Sequence, residues 1–107
     1  MTGILLRFYV QEKRKAGHIL LYEWLLERAR SLGIEGGSAF RALAGFGHHG
    51  VLREEHFYEL AADLPIAVEF AVTEEQAARL LASIRDEAEP IFYTRSPVEF
   101  ATTAGPR

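Results

Sequence analysis

The chain has 107 residues, room for one domain and not for two. Apolar residues make up 49% and charged residues 25%; twelve basic against fifteen acidic side chains give a net charge of −3, which argues against a surface built to coat nucleic acid and leaves only a local basic patch open. With no cysteine, disulfides, thiol chemistry and Cys-ligated zinc are excluded.

No apolar run approaches the ~20 residues of a membrane span, and Met1-Thr2-Gly3-Ile4 lacks the basic and apolar regions of a secretory signal. The expectation is a soluble, cytoplasmic domain that neither inserts into membranes nor binds nucleic acid. In chain order, Ile4, Leu6, Phe8 and Val10 alternate with Leu5, Arg7 and Tyr9, the period of a strand. A charged loop, Gln11 to Gly17, follows. From about His18 the spacing of Leu21, Leu25, Arg28 or Ala29, and Leu32 is that of an amphipathic helix, with Glu27 and Arg30 placed to pair across one turn and Gly33 at the C-cap. Gly36-Gly37 marks a turn. Ala39 to Phe46 reads as a strand with Phe40, Ala42, Ala44 and Phe46 on one face and Arg41 and Leu43 on the other. Val51 to Ala62 fits strand or helix equally. After Asp63-Leu64-Pro65, the residues Ile66, Val68, Phe70 and Val72 alternate as a further strand. Thr73 and Gln76 form a capping box ahead of a helix with Ala77, Leu80, Leu81 and Ile84 on its apolar stripe. Pro90 ends that helix, Ile91 to Arg95 is the last strand, and a polar tail follows. The domain is expected over 1–96, with 97–107 a partly disordered tail.

Strand, helix, strand, strand, helix, strand is the split βαβ order of a ferredoxin-like α+β sandwich: a four-stranded antiparallel sheet with two helices on one face. The helices would cover Ile4, Leu6, Phe8 and Val10 together with Ile66, Val68, Phe70 and Val72. The bare face would carry Leu5, Arg7, Tyr9, Arg41, Leu43 and Glu69. Apolar residues mixed with opposite charges suit an interface between copies of the chain better than a solvated face.

Gly45-Phe46-Gly47-His48-His49-Gly50 spells GxGxxG after a strand. A dinucleotide site of that kind needs a parallel sheet and a helix opening at the third glycine, and the chain supplies neither. Two readings stay open. Glycines without Cβ let backbone N–H groups approach a phosphate or another anion, with a histidine alongside; or the run is a glycine-rich bend leaving an edge strand. His48, His49 and His56 are candidate metal ligands, although adjacent histidines on extended chain point opposite ways. Lys13-Arg14-Lys15 is a solvated basic run or a contact for an anion. Glu54-Glu55, Glu74-Glu75 and the scattered serines compose no acid, base or nucleophile set, so no enzyme is expected, and no cofactor.

Leu21-Tyr22-Glu23, Gly45-Phe46-Gly47-His48, and Asp63-Leu64-Pro65-Ile66 with Glu69 stand in an order that resembles the small PII-like proteins of domain of unknown function 190. The resemblance runs from about Ile4 to Arg95. It implies a ferredoxin-like homotrimer with its sheets turned inward and a signalling role. It further implies a small anionic metabolite, such as a nucleotide, held between subunits near Gly45, Phe46, Gly47 and His48, and a protein partner met through loop 46–58. The alternative is a divalent-metal tolerance protein of the same trimeric fold, resting on the three histidines.

Overall fold

The computed structural model describes residues 1–46 and 64–105. Strand β1 (Thr2–Gln11) is followed by a small hairpin of β2 (Lys15–Ala16) and β3 (Ile19–Leu20), helix α1 (Leu21–Ser31) and strand β4 (Ser38–Arg41). Strand β5 (Pro65–Val72), helix α2 (Glu74–Glu87) and strand β6 (Phe92–Glu99) complete the chain order. The four long strands form one antiparallel sheet in the order β4-β5-β1-β6. Each crossover therefore skips a strand: α1 carries the chain from β1 over β5 to β4, and α2 carries it from β5 over β1 to β6. That interleaving makes β1 and β5 the sheet's centre and the ferredoxin-like α+β fold its outcome.

The period-two pattern sets which face is buried. Ile4 lies opposite Val72, Leu6 opposite Phe70 and Phe8 opposite Val68, and all of them are buried. Against them pack Leu21, Leu25 and Ala29 of α1 and Ala77, Leu80, Leu81 and Ile84 of α2, forming one apolar core. Phe8 and Phe70 meet edge to face at 6.1 Å, the geometry the ring quadrupoles favour. Among the described residues no polar side chain is buried in that core, so burial there stabilises without desolvating a polar group.

The start of α2 and the end of α1 fall where the sequence signals them. The Thr73 hydroxyl accepts from the Gln76 N–H at 3.1 Å, and the Thr73 N–H donates to the Gln76 side chain at 3.0 Å. At the end of α1, Gly33 adopts φ +85°. The Gly33 N–H donates to the Arg30 carbonyl at 3.0 Å and the Ile34 N–H to the Ala29 carbonyl at 3.1 Å, the paired bonds of a Schellman cap. Arg30 and Glu27 pair at 3.8 Å on the exposed surface.

Four boundaries differ from expectation. Gln11 to Gly17 is not wholly loop: Lys15 and Ala16 pair with Leu20 and Ile19 across a turn at Gly17, φ +64°. That hairpin takes His18 out of the helix, and α1 opens at Leu21. Strand β4 ends at Arg41 rather than at Phe46, and its sidedness is reversed: Phe40 lies opposite Ala67 on the bare face, whereas Arg41 lies opposite Ile66 on the helix side. Leu43, expected on the bare face, falls beyond the strand and is 95% exposed. All four residues of β4 are exposed, so no buried side fixes their register from within. Strand β6 runs on to Glu99, with the Phe100 N–H donating to the Met1 carbonyl at 2.9 Å; the segment expected to be tail from residue 97 begins inside the last strand because its pairing with β1 continues to Thr2.

Candidate functional site

Antiparallel pairing brings the end of β1, the end of β4, the start of β5 and the start of β6 to one end of the sheet. The Glu12 N–H donates to the Leu64 carbonyl at 2.9 Å, and the Glu12 carboxylate pairs with Arg41 at the end of β4. The Ala42 N–H donates to the Pro65 carbonyl at 2.9 Å. Beyond it the backbone of Gly45 passes so close to Pro65 that a Cβ there would stand 3.3 Å from the proline ring. Phe46 follows, with 57% of its surface exposed. Of the four residues singled out for a ligand, Gly45 and Phe46 thus sit together at the base of the connection between β4 and β5. Gly47 and His48, like His49 and His56, lie outside the described residues. Among the described residues no cluster of His, Cys, Asp or Glu is arranged to hold a metal ion.

The bare face of the sheet adjoins this end. Its first row crosses all four strands as Phe40, Ala67, Tyr9 and Phe92; the next is Ser38, Glu69, Arg7 and Thr94; then come Ala71, Leu5 and Ser96. Tyr9 and Phe92 pack ring on ring at 5.6 Å. Phe40 and Phe92 are each more than half exposed. At the centre the Arg7 Nε donates to the Glu69 carboxylate at 2.6 Å. Hydrogen bonding to the Tyr9 side chain, and then to Glu69, raises the Arg7 pKa above its already high ordinary value, so this side chain stays cationic at any working pH. The pair leaves no net charge on an otherwise apolar and hydroxylic surface.

Leu5, Arg7, Tyr9 and Glu69 were legible from alternation alone. Phe40 was missed because its strand has no buried side to set the parity, and Phe92 because the last strand was read as a unit without assigning its faces. Its partnership with Tyr9 was the available signal: aromatic residues recur at cross-strand positions.

An antiparallel β4-β5-β1-β6 sheet with both helices on one face defines a protein of the ferredoxin-like α+β class. The chain belongs to the DUF190 family (Uncharacterized ACR), whose model matches residues 3–100. A UPF0166 protein of Aquifex aeolicus is 37% identical over 81 residues, 76% of this chain and 77% of that protein. Among solved structures, the nitrogen regulatory PII-like protein CPII of Thiomonas intermedia K12, bound to ADP, AMP and bicarbonate, superposes with a TM-score of 0.66 at 20% identity, covering 94% of this chain and 97% of that one. A protein of Thermus thermophilus described as PII-like superposes with a TM-score of 0.62 at 22% identity, covering 92% and 88%. At such identities the likeness is one of fold. Among the described residues no helix is long and apolar enough to cross a membrane.

Proposed function

We propose that this protein is a non-catalytic, cytoplasmic signalling module. It assembles through its bare sheet face, as a homotrimer, and holds a small anionic metabolite of the nucleotide class in the clefts between subunits. The observation that carries the reading is the exposed Phe40–Tyr9–Phe92 row, with the neutralised Arg7–Glu69 pair beside it, lying next to the glycine-bearing exit of β4. A face of this kind is stable when covered, and covering it with copies of itself places the Gly45–His48 exit at the seam. There the backbone N–H groups of a glycine-rich segment meet phosphate oxygens without obstruction by Cβ. The ADP and AMP held by the Thiomonas relative support that ligand class. In this reading loop 46–58 meets a protein partner, and ligand in the seam changes which partner it contacts.

Thermal unfolding of the purified protein with ADP, AMP and bicarbonate, singly and together, tests the reading. A ligand at 100 times its Kd stabilises by about 2.7 kcal/mol, several degrees for a domain of this size. Gly45→Val, whose branched side chain would press on Pro65, is expected to reduce that shift. A flat melting temperature with every nucleotide at millimolar concentration refutes the ligand class.

A further inference from the structure

A groove of about 500 Å³ lies on the helix side of the molecule, and neither Gly45 nor Phe46 lines it. Its volume is within the range of small-molecule sites. Three elements converge on it. The β2–β3 hairpin contributes Arg14 and Lys15, the first turn of α1 contributes Leu21 and Trp24, and the end of α2 with the residue after Ala88 contributes Glu87 and Glu89. Charge is therefore sorted by element: cations on the hairpin, carboxylates at the end of α2, an aromatic and an aliphatic side chain on α1.

Half of that charge is already engaged. The Arg14 guanidinium donates to the backbone carbonyls of Glu89 at 3.4 Å and Pro90 at 3.2 Å, fastening the hairpin to the α2–β6 connection. Glu87 pairs with Arg28 at 2.5 Å, and Arg28 in turn lies over the Trp24 ring at 5.0 Å. Two opposite charges are left over. Among the described residues neither the Lys15 ammonium nor the Glu89 carboxylate takes part in an ion pair, although both line the same groove. A simple anion would satisfy Lys15 and be repelled by Glu89, and a simple cation would meet the reverse.

We infer that the groove takes a small zwitterion with an apolar body, that is, a free amino acid of the aliphatic or aromatic class. Its carboxylate goes to Lys15, its ammonium to Glu89, and its side chain to Trp24 and Leu21. The site is separate from the proposed nucleotide seam, and each stands or falls without the other.

Trp24 is the sole tryptophan of the chain, so its emission reports the groove directly. The protein is titrated with L-leucine, with 4-methylpentanoate, which lacks the ammonium, and with 3-methylbutylamine, which lacks the carboxylate. Leucine is expected to shift the emission saturably and to bind about threefold to fivefold more tightly than either analogue, the scale of one exposed charge pair. Lys15→Gln should erase the advantage of leucine over the amine, and Glu89→Gln its advantage over the carboxylate. The thermal response to ADP should stay unchanged in both variants. No saturable response to leucine, or an analogue that binds as tightly as leucine, overturns the proposal, and the titrations of the unaltered protein decide this on their own.

Discussion

A methyl group on Gly3 would stand 2.1 Å from the carbonyl oxygen of Val72 and 2.7 Å from the ring of Phe100; one on Gly37 would stand 2.3 Å from the ring of Phe70. No Cβ fits at either distance, so something must move. At Gly37 the obstacle is a side chain, but Phe70 is 2% exposed and wedged in the core, and close-packed interiors yield little. At Gly3 the obstacle is the backbone of the neighbouring central strand. Gly37→Ala is expected to destabilise by about 1–3 kcal/mol, the usual scale of overpacking, and Gly3→Ala by more. Urea unfolding of the two variants checks the order; equal or negligible losses would contradict the contacts described. The sequence marks Gly37 as a turn residue and says nothing of Phe70, because that contact joins segments far apart along the chain.

The two helices show how far local signals reach. The Thr73 capping box and the Gly33 cap lie within a few residues of the positions they satisfy, and both were readable. Thr73→Ala removes the bond to the Gln76 N–H and is expected to cost about 1 kcal/mol. Thr73→Ser, which keeps the hydroxyl, should recover most of it by the same denaturation measurement. The start of α1 was read three residues early. Its N-cap, Leu20, makes no side-chain bond, so there was no capping residue to find, and the hairpin that displaces the start is held by only two residue pairs. Strand β4 shows the opposite limit. Its hydrophobic pattern is real, but an exposed edge strand takes its register from the partner strand; pairing with β5 turned Phe40, and not Arg41, toward the bare face.

At the scale of the whole molecule, the proposed assembly rests on the bare face. Replacing Phe40 and Phe92 together by Glu puts two charges on the aromatic row while leaving the helix-side core untouched. The double variant is expected to stay folded by circular dichroism and to scatter light as a single 12.0 kDa chain, whereas the unaltered protein should scatter as a multiple of that mass. It should also lose the thermal response to nucleotide, since the seams go with the assembly. An unaltered protein that already scatters as one chain would remove both the interface and the clefts.

Alternation and helical spacing, read along the sequence, were enough for the order of the four long strands and two helices, the buried faces of β1 and β5, both apolar helix stripes and the α+β class. Each of these follows from interactions between residues a few positions apart, and burial of one face then fixes the rest. Four features needed the folded chain: the side of the sheet that Phe40 occupies, the length of β6, the meeting of Glu12 with Arg41, and the sorting of Lys15 and Glu89 onto one groove. These join residues distant along the chain, or lie on strands without a buried side, where no local period carries the information and only the pairing of distant segments supplies it.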